Sequence, residues 1–338
     1  MKILVTIPQI QPFLSFLSPD NQDELEKLGQ VSYNELGRQF TKQELCSRIT
    51  DTELLITGWS CPRIDEEVVD CAKHLRYIAH TGGSVGALIC KAVYDRGIRV
   101  LSGNELFAQS VAEGIIGYLL FALRNLDHFY QGLNRHREWL TQDMGRSITR
   151  GLMGKTVGIV SYGTISKYLI PLLHAFGARI HLYSRKRLPT ALLQQYRIVQ
   201  SDLPALFEQC DIVSLQTALN EYTVSMIDKN LLQRLRPGSI FVNTARGALV
   251  CEHDLLEEIE KRRIFFILDT FVHEPLPPDS PLFGHENVML MPHCAGPAVD
   301  MRSQITAALI HDIDRHLSGQ KLSLEIPWER AREMTVNA

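Results

Sequence analysis

The sequence has no closely spaced cysteine pair of the C-x-x-C kind, no long apolar run and no strong excess of charge of either sign. Its seven cysteines are scattered and never form a C-x-x-C pair, so we expect reduced thiols rather than a disulfide framework or a zinc knuckle. The formal net charge is only -3 over 338 residues, which leaves no basic stripe for a phosphate backbone. We therefore expect no nucleic acid partner.

The most apolar stretch is IIGYLLFAL at residues 115–123. It is about half of the roughly 20 residues needed to span a bilayer, and we interpret it as part of a buried helix. Residues 1–7 are followed at once by Pro8 and polar residues, without the apolar core and small-residue cleavage site of a signal peptide. These features predict a cytoplasmic protein with no membrane partner.

The sequence does have a regular alternation of short β-branched runs and helix-period stretches. The first runs lie at residues 2–7, 53–58, 76–80 and 98–101. From Lys155 the alternation restarts with TVGIVS, RIHLYS, DIVSL, SIFVNT, FFILDT and NVMLMP. This pattern predicts βαβ units and an α/β fold with two doubly wound parallel-sheet domains, the second built on six strands.

One strand–turn–helix segment, TVGIVSYGTISKYL, has the setting of a dinucleotide-binding fingerprint. The three glycine places of G-x-G-x-x-G hold Ser161, Gly163 and Ser166. The second glycine, which lets the backbone approach a pyrophosphate, is kept, and the helix beginning near Thr164 would offer N–H groups and a positive dipole end. Taken alone, the segment also fits an ordinary turn with no ligand.

Three further segments resemble, in order, motifs of the D-isomer-specific 2-hydroxyacid dehydrogenase family. They are VNTARGALV at 242–250, LDTFVHEPL at 268–276 and NVMLMPHCAG at 287–296. Upstream, GN at 103–104 and SVAE at 110–113 are similar to the family's entry into a long helix. The resemblance therefore covers most of the chain.

The resemblance implies an oxidoreductase that moves a hydride between NAD(P)H and a small 2-keto or 2-hydroxy acid. It implies a Rossmann-type dinucleotide-binding domain over residues 105–296 and a discontinuous, flavodoxin-like substrate-binding domain over 1–104 and 297–338. In the family, two subunits pair through the long helix after the VAE segment. The apolar segment from Glu105 to Leu126 is consistent with such a homodimer.

The resemblance assigns three catalytic residues, and their chemistry suits the reaction. The guanidinium of Arg246 matches a substrate carboxylate bidentately. The imidazole of His293 can give or take a proton near neutrality. Glu274 would bond the other ring nitrogen, fix the ring and favour its protonated form. The resemblance also places Asp269 near the nicotinamide carboxamide.

The loop predicted to bind substrate departs from the family pattern. The family often reads A-G-x-G-x-D, whereas residues 81–86 here read TGGSVG. The backbone N–H groups of Gly82, Gly83 and Ser84 are candidate carboxylate ligands, together with Arg246 and His293. The departure leaves the identity of the acid open.

The end of the second nucleotide-domain strand indicates which cofactor is preferred. NAD-binding proteins usually have Asp or Glu there, but this chain has Ser184, followed by Arg185, Lys186 and Arg187, with no carboxylate in residues 178–196. A hydroxyl followed by cations suits a 2'-phosphate, so we expect NADP(H) to be preferred, with NAD(H) as the alternative. The predicted cofactor-binding set is Gly163, Thr164, Ile165, Ser184, Arg185, Lys186, Thr217, Ala245, Asp269 and Gly296.

Two other functions stay open from the sequence. Some relatives with this fold are nicotinamide-sensing regulatory proteins, and such relatives can keep Arg246, Glu274 and His293. Ser161 and the altered substrate loop would also fit a catalytically idle paralogue. The spacing of His273, His285 and His293 fits no familiar metal site, so no metal is predicted.

Overall fold

The computed structural model of the chain describes residues 1–11, 13–140 and 149–335. Contacts between Cα atoms divide the chain into two compact units. The first comprises Met1–Ala108, Ala218–Asn220 and Pro297–Ala338, and the second comprises Gln109–Thr217 and Glu221–Gly296.

The first unit contains a sheet of five parallel strands in the order β2-β1-β3-β4-β5. The strands are β1 (Lys2–Pro8), β2 (Gln30–Asn34), β3 (Leu54–Thr57), β4 (Tyr77–His80) and β5 (Arg99–Ser102). This order is the flavodoxin-like one, in which the direction of strand addition along the sheet reverses beside β1. The helices between the strands are α1 (Phe13–Phe16), α2 (Pro19–Leu28), α3 (Lys42–Ile49), α4 (Glu66–Cys71) and α5 (Lys91–Asp95).

Both faces of this sheet are covered, as expected for parallel strands. Alternate residues of β1 point to opposite sides, so Leu4 joins one apolar cluster with Leu55 and Ile78, while Ile3 and Val5 join the other. The edge strand β2 was not among the predicted strands. Its sequence, QVSYN, is mostly exposed or half-buried and lacks the continuous apolar run of the central strands.

A long helix, α6 (Asn104–Arg124), leads from the first unit into the second. With a mean hydropathy of 1.6 it is long and apolar enough to cross a membrane by length and composition. Its buried residues, among them Ile115, Leu119 and Leu123, pack into the core of the second unit. The segment predicted to be buried is nevertheless only partly so, since 39% of its most apolar 18-residue window is buried.

The second unit contains seven parallel strands in the order β12-β11-β10-β9-β6-β7-β8. They are β6 (Thr156–Val160), β7 (Arg179–Tyr183), β8 (Val199–Gln200), β9 (Ile212–Leu215), β10 (Ile240–Asn243), β11 (Phe265–Leu268) and β12 (Val288–Leu290). The spatial order of β6 to β11, the first six of these strands along the chain, is that of a Rossmann sheet. The prediction of six strands was one too few, because the two-residue edge strand β8 is too short to leave a pattern.

The helices of the second unit and the two that return to the first complete the fold. The second unit has α7 (Leu126–Gln131), α8 (Thr164–Ala175), α9 (Thr190–Tyr196), α10 (Leu203–Gln209), α11 (Lys229–Leu232) and α12 (Glu252–Glu260). The chain then returns to the first unit through α13 (Val299–Leu317) and α14 (Trp328–Ala331). The predicted α/β class with two doubly wound sheets is confirmed.

Candidate active site

The candidate residues of the second unit lie where its parallel strands end. The backbone ladder continues just past the strands: Ser161 N donates to Tyr183 O at 2.8 Å, and Asp269 N donates to Asn243 O at 3.0 Å. The ends of β6, β7, β9, β10, β11 and β12 therefore lie at one edge. Ligands bind at this edge in open α/β sheets.

His293 and Glu274 form a hydrogen-bonded pair at this edge. The Nδ1 atom of His293 lies 2.7 Å from Oε2 of Glu274. The other carboxylate oxygen accepts a hydrogen bond from Phe271 N at 2.9 Å, which fixes the acid. The His293 side chain is 41% exposed, and its Nε2 atom has no hydrogen-bond partner in the described ranges. A solvent-facing ring nitrogen is thus available for proton transfer.

Arg246 is largely buried beside this pair. Its Nη1 atom donates to Ala245 O at 2.6 Å, and its buried Nε atom has no partner in the described part of the chain. Burial lowers the pKa of the guanidinium, and the nearby Glu274 charge partly opposes that shift. An unsatisfied buried cation is costly unless an anion pairs with it, so Arg246 is suited to a carboxylate ligand.

Asp269 anchors the loop that carries His293. Its side chain is fully buried. One oxygen accepts from Cys294 N at 2.8 Å and from the Tyr118 hydroxyl at 2.9 Å, and the other accepts from Ala295 N at 3.1 Å. Burial raises the pKa of Asp269, while the three hydrogen bonds oppose the rise. A contact between Asp269 and a nicotinamide stays a prediction.

Two glycines let the same loop approach α6 closely. A Cβ atom on Gly114 would lie 2.2 Å from Ala295 O, and one on Gly296 would lie 2.9 Å from Val111 N. Real Cβ atoms do not come so close, so both positions need glycine. Gly296, predicted to bind cofactor, is thus required for packing here, and its role toward a cofactor stays a prediction.

The predicted phosphate-binding turn keeps its geometry despite its two serines. Ser161 has a φ of 88°, a conformation that favours glycine. The Ser166 hydroxyl donates to Ser161 O at 2.7 Å, which ties the turn to α8. A Cβ on Gly163 would meet nothing nearer than Gln216 O at 3.9 Å, so the backbone there is open to a ligand.

The first turn of α8 suits an anion. The N-cap residue Gly163 has no side chain to cap this 12-residue helix, and the first turn holds no acidic residue. Thr164 and Ile165 are half-buried in that turn. The residues present therefore fit the pyrophosphate of a dinucleotide.

The basic turn follows β7, next to the phosphate-binding turn. Ser184 is half-buried, whereas Arg185, Lys186 and Arg187 are exposed. The Ser184 hydroxyl accepts from Lys186 N at 3.3 Å, which folds the turn back on itself. Thr217, after β9, is half-buried, and Ala245, after β10, is buried.

Gly82, Gly83 and Ser84 lie in the first unit, after β4. The Ser102 hydroxyl lies 2.6 Å from Gly83 O and 3.0 Å from Gly82 O. The Asn104 amide donates to Gly83 O at 3.3 Å. The N–H groups of the three loop residues donate no hydrogen bond to any residue that the structure describes. The loop therefore presents three N–H groups, the donors that a carboxylate needs.

A buried histidine lies directly beneath this loop. His80 is 6% exposed, and its Nδ1 atom lies 2.9 Å from the Thr57 hydroxyl. A Cβ on Gly82 would come within 2.3 Å of its Nε2 atom, so position 82 needs glycine. Burial lowers the pKa of His80 to about 4, and the ring is neutral at pH 7.

The side chains that hold these loops lie outside the set of site residues predicted from the sequence. Tyr118, Ser102 and Asn243 were not predicted as site residues, yet Asn243 donates to Arg246 O at 2.8 Å and accepts from Ala245 N at 3.1 Å. Asn after a strand is typical of such local backbone bonds. A tyrosine within an apolar helix also indicates a buried partner for its hydroxyl.

A comparison with protein families gives the deciding observation. Residues 116–295, just over half of the chain, match the model described as D-isomer specific 2-hydroxyacid dehydrogenase, NAD binding domain. The chain belongs to the D-isomer-specific 2-hydroxyacid dehydrogenase family. Members of this family are oxidoreductases that act on CH–OH groups, and all matched residues except 218–220 lie in the second unit.

Individual relatives span most of the dehydrogenase. It is 27% identical to the hydroxypyruvate reductase of Thermotoga maritima over 88% of its own length and 92% of that protein. It is 29% identical to the D-3-phosphoglycerate dehydrogenase of Methanocaldococcus jannaschii over 95% of its length, but spans only 58% of that relative. The TT0316 protein of Thermus thermophilus has a similar structure, with a TM-score of 0.78 at 27% identity, covering 97% of this chain and all of that one.

Proposed function

We propose that the protein reduces a small 2-keto acid to its 2-hydroxy acid with a nicotinamide cofactor, or runs the reverse reaction. The observation that carries this proposal is the His293–Glu274 pair beside the buried, incompletely paired guanidinium of Arg246. A proton donor and a carboxylate anchor are the two groups that reduction requires of the protein.

The roles follow from the chemistry of these groups. Arg246 binds the substrate carboxylate and polarises the neighbouring carbonyl. His293 donates a proton from Nε2 to the carbonyl oxygen as it becomes an alkoxide, while Glu274 holds the ring and offsets its positive charge. The bound cofactor supplies the hydride. The loop at residues 82–84 is the proposed second anchor for the carboxylate.

The activity test is a reduction assay with a panel of acids. Glyoxylate, hydroxypyruvate, pyruvate, and branched and aromatic 2-keto acids should be offered with NADH and with NADPH, and oxidation of the cofactor followed by absorbance. We expect turnover of at least one acid, and the preferred size defines the pocket. If no acid is turned over while the cofactor still binds, the proposed reaction is refuted, and a sensing role or an idle paralogue replaces the proposal.

We also propose that NADP(H) is preferred over NAD(H). Ser184 and the exposed cations Arg185 and Lys186 follow β7. NAD-binding proteins usually have a carboxylate at this place, and a carboxylate would repel a 2'-phosphate. The support is this composition together with the position of the turn, beside the phosphate-binding turn at Ser161.

The cofactor test compares kcat/KM for NADPH and NADH in the wild type and in Ser184→Asp combined with Arg185→Ala. We expect NADPH to be preferred by the wild type and the preference to fall in the double variant. Arg179→Ala is the matched control, because Arg179 is an exposed arginine at the opposite end of the same strand. Equal use of NADH by the wild type would refute the preference.

A cytoplasmic homodimer is the proposed form of the enzyme. Less than half of the apolar window of α6 is buried in the single chain, and the exposed side chains of Phe121, Leu126, Tyr130 and Leu133 continue that surface. Such a surface is typical of an interface between subunits. Light scattering should give twice the chain mass, and a monomer at every concentration would refute the dimer.

A further inference from the structure

Residues 325–335, here called the 325–335 segment, follow α13 and belong to the first unit. Ile326 N donates to Val100 O at 2.8 Å, and Glu325 pairs with Leu101 in an antiparallel bridge. Ile326 and Ala331 are buried in the same apolar cluster as Val100. The segment is thus packed into the core of the first unit.

One end of this segment contacts the 82–84 loop through its backbone. The Ser84 hydroxyl donates to Thr335 O at 3.0 Å and also accepts from Gly86 N at 3.3 Å. A Cβ on Gly86 would lie 2.6 Å from Thr335 O and 2.8 Å from Met334 O. Glycine at position 86 therefore permits a close approach between the two backbones.

A second contact reaches the loop through side chains. Arg330 donates from Nη2 to Asn104 Oδ1 at 2.8 Å and to Glu105 Oε1 at 3.3 Å. Asn104 in turn donates to Gly83 O at 3.3 Å. Arg330 thus fixes the amide that holds the loop carbonyl, and the fixed carbonyl sets the direction of the neighbouring N–H groups.

We propose that the 325–335 segment is a positioning element for the 82–84 loop and that Arg330 is its positioning residue, so that the segment sets the affinity for the 2-keto acid. This inference rests on the proposed function, because it takes the loop to bind the substrate carboxylate. A loop with two glycines loses much conformational entropy when it is ordered. Contacts that order it before substrate arrives remove that cost from binding.

The first experiment measures kinetics in Arg330→Ala, Arg330→Lys and Arg332→Ala. We expect Arg330→Ala to raise the KM for the keto acid about tenfold, as for one lost hydrogen bond, while kcat and the KM for NADPH stay within about twofold. Arg330→Lys should restore part of the affinity, because lysine can still donate to Asn104. Arg332→Ala is the matched control, since its exposed arginine lies two residues away in the same segment. An unchanged KM in Arg330→Ala overturns the inference.

The second experiment is independent of activity. Gly86→Ala pushes a Cβ against Met334 and Thr335 and should displace the segment without touching Arg330. In both Gly86→Ala and Arg330→Ala, we expect faster hydrogen–deuterium exchange of the Leu88 amide, which donates to Val85 O, and in Arg330→Ala also of the Gly86 amide, which donates to Ser84 Oγ. Unchanged exchange in both variants overturns the inference. If the wild type turns over no acid, the proposed function fails and exchange alone decides the role of the segment.

Discussion

His80, the last residue of β4, and His293, three residues after β12, are both followed by small residues, yet the loops after these two strands offer opposite chemistry. In the first, Ser102 and Asn104 donate to carbonyl oxygens, which leaves the N–H groups of residues 82–84 for a ligand. In the second, Asp269 accepts from the N–H groups of Cys294 and Ala295. Those two N–H groups are therefore already paired, and the loop presents the His293 side chain instead.

The two histidines differ for a similar reason. His80 is buried against a hydroxyl, and burial lowers its pKa to about 4. His293 is half-exposed against a carboxylate. The group that faces each ring, rather than the strand-end position that they share, decides whether a histidine supports a loop or handles a proton.

The largest effect is expected for His293→Gln. We expect kcat to fall by about 100-fold or more, because the alkoxide loses its proton donor. Binding of NADPH, measured by nicotinamide fluorescence, should be unchanged. His253→Gln is the control, as His253 lies on α12 with its side chain 79% exposed. A variant with a near-wild-type rate would remove His293 from the reaction.

The second prediction concerns the pH dependence of stability caused by His80. Its pKa is about 4 in the folded chain against 6.5 in the unfolded chain, so the unfolded state binds the proton more readily. The contribution of the neutral His80 to the free energy of unfolding is therefore fully present above about pH 6.5 and is lost as the pH falls toward 4. Between pH 7 and pH 5, the wild type should lose on the order of 2 kcal/mol more than His80→Asn, which can still bond Thr57.

Urea unfolding at the two pH values measures this difference. His253→Asn provides the control, because it replaces a histidine whose side chain is 79% exposed. Equal losses in the wild type and His80→Asn would show that His80 is protonated as easily in the folded chain as in the unfolded one.

Part of the fold and part of the candidate site could be predicted from the sequence. The alternation of apolar runs predicted the central strands, because buried parallel strands leave continuous apolar runs. Edge strands β2 and β8 leave no such run. Among the site residues, Glu274 and His293 lie 19 positions apart and were paired by the family resemblance alone. The hydrogen-bond partners of Ser102 and Tyr118 could not be predicted, since they depend on where each side chain points in the folded chain.

The third prediction tests how the substrate loop is held. Ser102→Ala removes the hydroxyl closest to Gly83 O and leaves only the longer Asn104 bond. We expect the KM for the keto acid to rise about tenfold with little change in kcat. Ser47→Ala is the control, because the exposed Ser47 bonds only within α3. A fall in kcat at constant KM would mean that the loop acts in the chemical step instead.

The last and smallest effect is expected in the loop after β12, from Tyr118→Phe. The Tyr118 hydroxyl is one of three donors to Asp269, and burial raises its pKa, so it stays a donor at working pH. Its loss should cost about 1 kcal/mol of unfolding free energy at pH 7, because two donors remain.

The pH dependence of that cost distinguishes a bond to a carboxylate from a bond to a neutral oxygen. The Tyr118 hydroxyl stabilises the charged form of Asp269, so Tyr118→Phe raises the pKa of Asp269 further above its usual value. The deficit, meaning the loss of unfolding free energy relative to the wild type, should therefore shrink as the pH falls and the carboxyl takes up a proton. Tyr94→Phe is the matched control: its hydroxyl donates to the neutral Ile326 O at 2.9 Å, so its deficit should not vary over the same range. Urea unfolding of both variants from pH 7 to pH 4 measures the two slopes. Parallel slopes would mean that the Tyr118 hydroxyl does not distinguish the charged from the neutral form of Asp269 over this range, and a bond to a carboxylate would then no longer account for how Tyr118 holds the His293 loop.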